Sequence, residues 1–134
     1  MGLHWHTDTL RIGASLYYVD FSDYIYLADT GVEDEGTPAR VWAQGDARFT
    51  GGEISLDWTF LSNASGEWSL QAFGDLVRGR LTGSGTQTVA FSIEHEDGDV
   101  EDFTAEIARD GDLPRLAPGR FGAELRWSNA QWRA

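Results

Sequence analysis

Acidic side chains surround a histidine in one short stretch of the sequence, residues 94–102. Carboxylate oxygens are the ligands that Ca²⁺ prefers, and an imidazole among them also suits Zn²⁺. The spacing does not match the EF-hand loop, and a solvated charged turn explains the same composition. The stretch is therefore a candidate site for zinc or calcium, with a solvated turn as the alternative. The candidate ligands are Glu94, His95, Glu96, Asp97 and Asp99.

Two further histidines, His4 and His6, alternate with Leu3 and Trp5 near the start of the chain. Side chains two apart on a strand share a face, so both imidazoles could reach one metal ion. A zinc site needs three or four ligands, and a solvated pair is the alternative interpretation. His4 and His6 are thus a second, incomplete candidate for metal binding.

Catalytic chemistry finds little support in the residue pattern. The chain has no cysteine, and it contains no nucleophile elbow, phosphate-binding loop or HExxH helix. Paired carboxylates such as Asp20 and Asp23 are explained by solvated strand faces. We predict that the protein is not an enzyme, that it has no catalytic residue, and that it holds no cofactor beyond the candidate metal.

The charge balance excludes a further class of partner. Ten basic residues stand against 22 acidic ones, which gives 10 − 22 = −12. A protein with so large a negative charge is repelled by phosphate backbones and by anionic bilayer surfaces. We therefore predict no nucleic-acid partner.

Long runs of alternating apolar and polar residues predict the elements that must position these groups. The first run begins at Leu10 and continues without a proline to Ala28, whereas a typical strand has about 5 to 6 residues. Further runs cover residues 54–60, 68–72 and 121–127. The pattern predicts an all-β protein, an antiparallel meander of about six long strands.

The segments between these runs predict the connections. Residues 32–40 carry acidic residues, glycine and Pro38 and are expected to form an exposed loop, and residues 61–67 a tight turn. Residues 78–85 are basic and rich in glycine, so the chain is expected to leave the main sheet there. An inserted β-hairpin is predicted at about 87–108, because its two arms present matching apolar residues. These residues are Val89, Phe91, Ile93, Phe103, Ala105 and Ile107.

The apolar face has two interpretations that periodicity leaves open. It is the interior of a soluble β-barrel or sandwich that binds a small ligand, or the lipid-facing outside of a transmembrane β-barrel. Tryptophans near one set of strand ends, including Trp58, Trp68 and Trp127, match an interfacial girdle. Short turns at that end and long charged loops at the other favour the membrane barrel, with the soluble module as the alternative.

Four blocks of the sequence resemble consecutive strands near the C-terminal end of the barrel of TonB-dependent outer-membrane receptors. The blocks are DFSDYIYLADTG, VWAQGDARFTGGEISLDW, FGDLVRGRL and LPRLAPGRFGAELRW, which lie in that order between residues 20 and 127. The elements D-Y-I-Y, D-A-R-F-x-G-x-E and L-P-R-x-x-P-x-R-x-G are fairly specific together. The pattern is most similar to receptors for metals or metal chelates.

The resemblance implies that residues 1–134 are one segment of a larger transmembrane barrel, a natural fragment or an engineered section. Residues 82–112 would form an inserted extracellular loop or hairpin. The parent receptor would import a metal or metal chelate with energy from the TonB system, which acts through a plug that the chain lacks. We expect that the segment does not transport on its own.

Partners and location follow from the same resemblance. The parent protein is expected in the bacterial outer membrane, in contact with its lipid, although Met1 is not followed by a signal peptide. A segment cut from a barrel has open strand edges, and these favour self-association.

Overall fold

The computed structural model describes residues 1–95, 98–129 and 132. Its regular structure consists of six β-strands, three of which are far longer than a typical strand. None of these described residues belongs to a helix that is long and apolar enough to cross a membrane. The strands are β1 (Gly2–His6), β2 (Leu10–Asp34), β3 (Thr37–Asn63), β4 (Gly66–Glu94), β5 (Val100–Asp112) and β6 (Arg120–Ser128).

The six strands form one antiparallel sheet, which confirms the predicted all-β meander. Strands β1 to β5 lie side by side in chain order, and β6 also pairs with β4. Strand β4 therefore has two partners along the same edge: β6 pairs with residues 67–75 and β5 with residues 80–94. Between these two ladders, residues 76–79 of β4 lie opposite the longer segment 113–119.

The chain divides into two compact units, and the long strands contribute to both. The first unit contains residues 1–18, 50–77 and 117–134, and the second contains residues 19–49 and 78–116.

The second unit has a hydrophobic core made mostly of small side chains. Four of its nine buried residues are alanines, which allow strands to approach closely, and Tyr26 is the largest of them. The removal of these apolar side chains from water stabilises the fold of this unit. The buried residues are Tyr26, Ala28, Val41, Ala43, Ala47, Leu81, Ala105, Ile107 and Leu113.

The predicted hairpin at 87–108 is present and forms part of this core. Phe91 lies directly opposite Phe103, and the two rings stack with centroids 5.6 Å apart. The expected departure of the chain from the sheet at 78–85 is wrong, because β4 continues unbroken through these residues to Glu94. The ladder with β5 only shifts its register between Thr82 and Thr86, where Gly85 has a φ of 74°.

Residues 32–40 are mostly exposed, as predicted, but the prediction that they form a loop is wrong. Strand β2 continues to Asp34 and β3 begins at Thr37, so only Glu35 and Gly36 form the turn. Both turn residues have positive φ, 48° and 79°, as the tight hairpin turns that match strand twist require. Acidic and glycine residues that suggested a loop thus belong to a short turn and to the strands beside it.

In the first unit, β1 and β6 pair with β2 and β4 in regular antiparallel registers. His4 lies opposite Gly13, and Trp68 lies opposite Trp127. The predicted turn after β1 is present, since the amide of Thr7 donates to the carbonyl oxygen of Leu10 at 2.7 Å. The registers fix which side chains share a face, and therefore which groups can meet.

Candidate functional site

The surface of the first unit is apolar to an unusual degree. Phe121 is 91% exposed, and Ile54 and Leu125 are each 57% exposed. All nine buried hydrophobic residues of the described chain lie in the second unit, so these side chains have no core to enter. An exposed apolar band of this kind marks a surface that contacts something other than water.

Buried and exposed apolar residues of β3 occupy alternate positions, and the exposed Trp42 of the second unit has an even number. In the second unit the buried residues Val41, Ala43 and Ala47 have odd numbers. In the first unit the exposed apolar residues Ile54 and Trp58 have even numbers. The same strand thus carries a set that is shielded from solvent and a set that is presented to it.

Aromatic side chains cluster at one end of the first unit. The rings of Trp58 and Phe60 lie 5.5 Å apart, next to the turn that joins β3 to β4. On the other side of that turn, Trp68 packs against Trp127 with centroids 6.5 Å apart. Tryptophans gathered at strand ends are typical of the interfacial girdle of a membrane barrel.

The alternate residues of the first unit are polar, and they include the ion pairs of Asp75 with Arg120 and of Glu124 with Arg126. Arg120 Nε donates to both carboxylate oxygens of Asp75, at 3.0 and 3.2 Å. Gln71 Nε2 on β4 donates to Asp57 Oδ1 on β3 at 2.5 Å. Polar residues that alternate with apolar ones along a strand are typical of the inside of a membrane barrel.

One of the two predicted histidines of β1 lies at a cavity on this polar surface. The cavity has a volume of about 270 Å³, and its lining includes His4, Ser15, Glu53 and Asp75. His6 does not line it and lies opposite Arg11 on β2. His4 and Glu53 therefore line the same cavity, whereas His6 does not reach it.

His95 lies between two carboxylates at the tip of the β4–β5 hairpin. Its Nδ1 is 3.6 Å from Asp34 Oδ1, and its Nε2 is 3.7 Å from Glu101 Oε2. The backbone amide of His95 donates to the carbonyl oxygen of Asp99 at 2.9 Å, which closes the turn. Glu101 belongs to the acidic stretch 94–102 that the sequence singled out, whereas Asp34 was not predicted, because nothing local in the sequence brings the end of β2 to His95.

The other predicted ligands of this stretch are Glu94, Glu96, Asp97 and Asp99. Glu94 is the last residue of β4 and pairs with Val100, and Asp99 contributes its carbonyl oxygen to the turn. Glu96 and Asp97 lie outside the described residues. Within residues 1–95, 98–129 and 132, no group of three or more histidine or acidic side chains is arranged to hold a metal ion. Metal binding at this tip stays a prediction.

Comparison with known proteins adds a family to this geometry. The family model described as "TonB dependent receptor-like, beta-barrel" matches residues 1–134. No curated protein and no solved structure matches the chain. The family match covers both units and every strand.

Proposed function

Because this chain belongs to the family of TonB-dependent receptor β-barrels, we propose that it forms part of the wall of an outer-membrane barrel that imports a metal ion or a metal chelate. The family consists of transporter domains of the bacterial outer membrane and is not an enzyme family. Its barrels work with TonB, so the proposed partners are outer-membrane lipid and the TonB system.

The observation that carries the membrane part of this proposal is the exposed apolar surface of the first unit. Transferring a large apolar side chain out of water is worth about 1.5–3 kcal/mol, and the exposed set includes Ile54, Trp58 and Leu125. Lipid tails would cover these side chains without any further protein contact. The core of the second unit, in contrast, supports a water-exposed position, and we assign residues 82–112 within it to the outer side of the membrane.

The metal part of the proposal is supported by charge. The chain carries a formal charge of −12, and His95 stands between Asp34 and Glu101 at the hairpin tip. Carboxylates and an imidazole at an exposed tip would concentrate cations near the mouth of a barrel. In this proposal zinc or another metal is cargo, captured at the tip rather than held as a resident cofactor.

The membrane assignment can be tested with variants that retain a single tryptophan, at position 58 or at position 42. Both side chains are exposed, but Trp58 belongs to the first unit and Trp42 to the second. In vesicles that contain brominated lipid, we expect strong quenching of Trp58 fluorescence and little quenching of Trp42. Equal quenching, or a monodisperse and cooperatively folded monomer without detergent, would contradict the assignment.

The cargo can be tested in cells that make the whole receptor barrel of which this chain is proposed to form part, under metal limitation. We expect them to accumulate radioactive zinc or an iron chelate faster than matched cells without that receptor, and only when TonB is present. Accumulation that is the same with and without the receptor would contradict the proposed import.

A further inference from the structure

Two arginines of β4, Arg78 and Arg80, lie on the exposed face of the sheet in the second unit. They flank Gly79, which faces the core: a Cβ atom on Gly79 would lie 2.8 Å from Phe49 Cε1 and 2.9 Å from Leu113 Cδ1. Successive side chains of a strand point to opposite faces, so both guanidinium groups project away from that core. Strand β4 therefore presents two positive charges, two residues apart, on its exposed face.

A third arginine, Arg48, lies on the neighbouring strand β3. The close approach of Phe49 to Gly79 places these two residues side by side on β3 and β4. In an antiparallel pair the next residues, Arg48 and Arg80, are then neighbours, and their side chains point to the exposed face. Both strands have a neighbouring strand on each side. Together with Arg78, these two form a cluster that we call the arginine row.

The arginines of this row differ in their partners. Arg48 Nε forms an ion pair with Asp20 Oδ1 at 2.8 Å. Among the described residues, no hydrogen bond or ion pair involves the side chain of Arg78 or Arg80, although Asp112 is the residue opposite Arg80 on β5. In a chain with 22 acidic and ten basic residues, a carboxylate partner is the expected surrounding of an arginine. Two unpaired guanidinium groups on one face therefore indicate a site for an anion that the chain does not supply.

The position of the row along β4 relates it to the proposed membrane. The side chains that share a face with Arg78 in the preceding part of the strand are all uncharged, and the last of them is half exposed. A membrane strand needs about 9 to 11 residues to cross the bilayer. Arg78 lies 78 − 68 = 10 residues after Trp68, so in the proposed barrel Arg78 and Arg80 lie at the level of the lipid headgroups on the outer side. The uncharged residues of this face are Trp68, Leu70, Ala72, Gly74 and Leu76.

We propose that the arginine row binds the phosphate group of an outer-leaflet lipid, with Arg78 and Arg80 as its main ligands. This inference rests on the proposed function, because it requires the chain to stand in a membrane. A guanidinium group stays protonated and donates two parallel hydrogen bonds to phosphate oxygens. A headgroup that ends in a phosphomonoester offers three such oxygens, which two arginines can share. The net charge of −12 repels anionic lipid in general, so the selectivity comes from this row.

The test places the full chain in phosphatidylcholine vesicles that contain a trace of spin-labelled lipid. Electron paramagnetic resonance measures the share of the label that the protein immobilises, for phosphatidic acid and for phosphatidylcholine. We expect phosphatidic acid to be preferred by roughly fivefold or more, the effect of about one basic residue at a membrane surface. The preference should persist when millimolar inorganic phosphate is added. Its loss under that condition would show that the row binds soluble phosphate, and would overturn a lipid as the ligand.

Matched variants separate the row from the general charge of the protein. Arg78→Gln with Arg80→Gln should abolish the preference for phosphatidic acid. Arg40→Gln with Arg109→Gln is the control, because it removes the same charge from exposed positions of the second unit outside the row. We expect the control to keep the preference within about twofold. Equal loss in both double variants overturns the proposal.

Quenching of a single tryptophan at position 58 by brominated lipid separates this inference from the membrane assignment. Where Trp58 is quenched but phosphatidic acid is not preferred, the arginine row has no role in lipid binding and the membrane assignment stands. Where Trp58 is not quenched, the membrane assignment fails and the inference fails with it.

Discussion

The main-chain amide of Leu113 donates a hydrogen bond of 2.9 Å to the carbonyl oxygen of Gly79. This bond fastens the segment that follows β5 to the middle of β4. The Leu113 side chain is buried, and Leu116 packs against the same core. Gly79 makes room for both, because a Cβ atom there would lie 2.9 Å from Leu113 Cδ1 and 3.0 Å from Leu116 Cδ1.

Replacing this glycine should therefore weaken the second unit. We expect Gly79→Ala to lower its free energy of unfolding by about 1–3 kcal/mol, the usual effect of overpacking a core. The measurement is hydrogen exchange of the amides of residues 78–116 in detergent micelles.

Gly45→Ala is the matched control for this change. Gly45 also lies in the second unit, but a Cβ atom there would be 3.8 Å from its nearest neighbours, Leu81 and Tyr26. We expect a free energy of unfolding that is unchanged or higher by about 0.4–1 kcal/mol, because alanine restricts the unfolded chain. If Gly79→Ala behaved like Gly45→Ala, the close packing at Gly79 would not contribute to stability.

A lysine on the exposed apolar set of the first unit should impair membrane insertion. Ile54→Lys would place a charge among lipid tails, which costs about 2–4 kcal/mol at the bilayer midplane and less near the interface. The neighbouring change Ser55→Lys is at nearly the same depth, but its side chain points to the opposite face of the strand. We expect only Ile54→Lys to reduce the folded fraction in lipid vesicles, measured by urea titration. A similar loss in both variants would contradict a lipid-facing Ile54.

The carboxyl of Glu106 should contribute a stability that depends on pH. Hydrogen bonds from Thr86 and Thr88 lower its pKa below the ordinary value of 4.5 in the folded protein. The contribution is therefore present above the ordinary value and is lost as the pH falls through the lowered one. Thr88→Val should raise the pKa of Glu106, which can be followed by carbon NMR of the carboxyl group.

Thr104→Val is the control for that titration. Thr104 lies on β5 two residues from Glu106 and opposite Ala90, so the change alters the same strand without removing a donor to the carboxyl. We expect the pKa of Glu106 to stay where it is in the unmodified protein. A Thr88→Val variant whose Glu106 titrates as in the unmodified protein would show that the hydroxyl does not stabilise the anion.

Zinc binding, where it occurs, should depend on the hairpin tip. His95→Gln removes the imidazole between Asp34 and Glu101, and we expect zinc affinity measured by calorimetry to fall by about tenfold or more. His4→Gln with His6→Gln serves as the control, since the two histidines of β1 are a separate candidate. Loss of zinc binding in the control but not in His95→Gln would show that zinc binds at β1 and not at the hairpin tip.

The local elements of this fold could be predicted from the sequence. Strict alternation located the strand residues of β3 and β6, and matching apolar positions brought Phe91 opposite Phe103. Periodicity works here because each strand has one apolar and one polar face. It failed at residues 32–40, because acidic and glycine residues suit a loop as well as a two-residue turn with positive φ.

The candidate site was less accessible to sequence reasoning. The approach of Asp34 to His95 depends on where two hairpins end, and no local pattern encodes that distance. The division into a unit with a core and a unit without one was also missed, because valine at 41 and isoleucine at 54 are both apolar residue types and the sequence alone does not distinguish them. Only the environment of each, buried in one case and exposed in the other, distinguishes them.

The two ladders on β4 have a consequence for how such a chain can change over generations. Residues 113–119, seven residues, connect β5 to β6, whereas the corresponding stretch of β4, residues 76–79, has four. The extra residues therefore lie between the two ladders. Insertions or deletions in the hairpin of β4 and β5 would leave Asp75 opposite Arg120. The hairpin is therefore a segment in which sequence variation can accumulate, while the register of β6 on β4 is inherited unchanged.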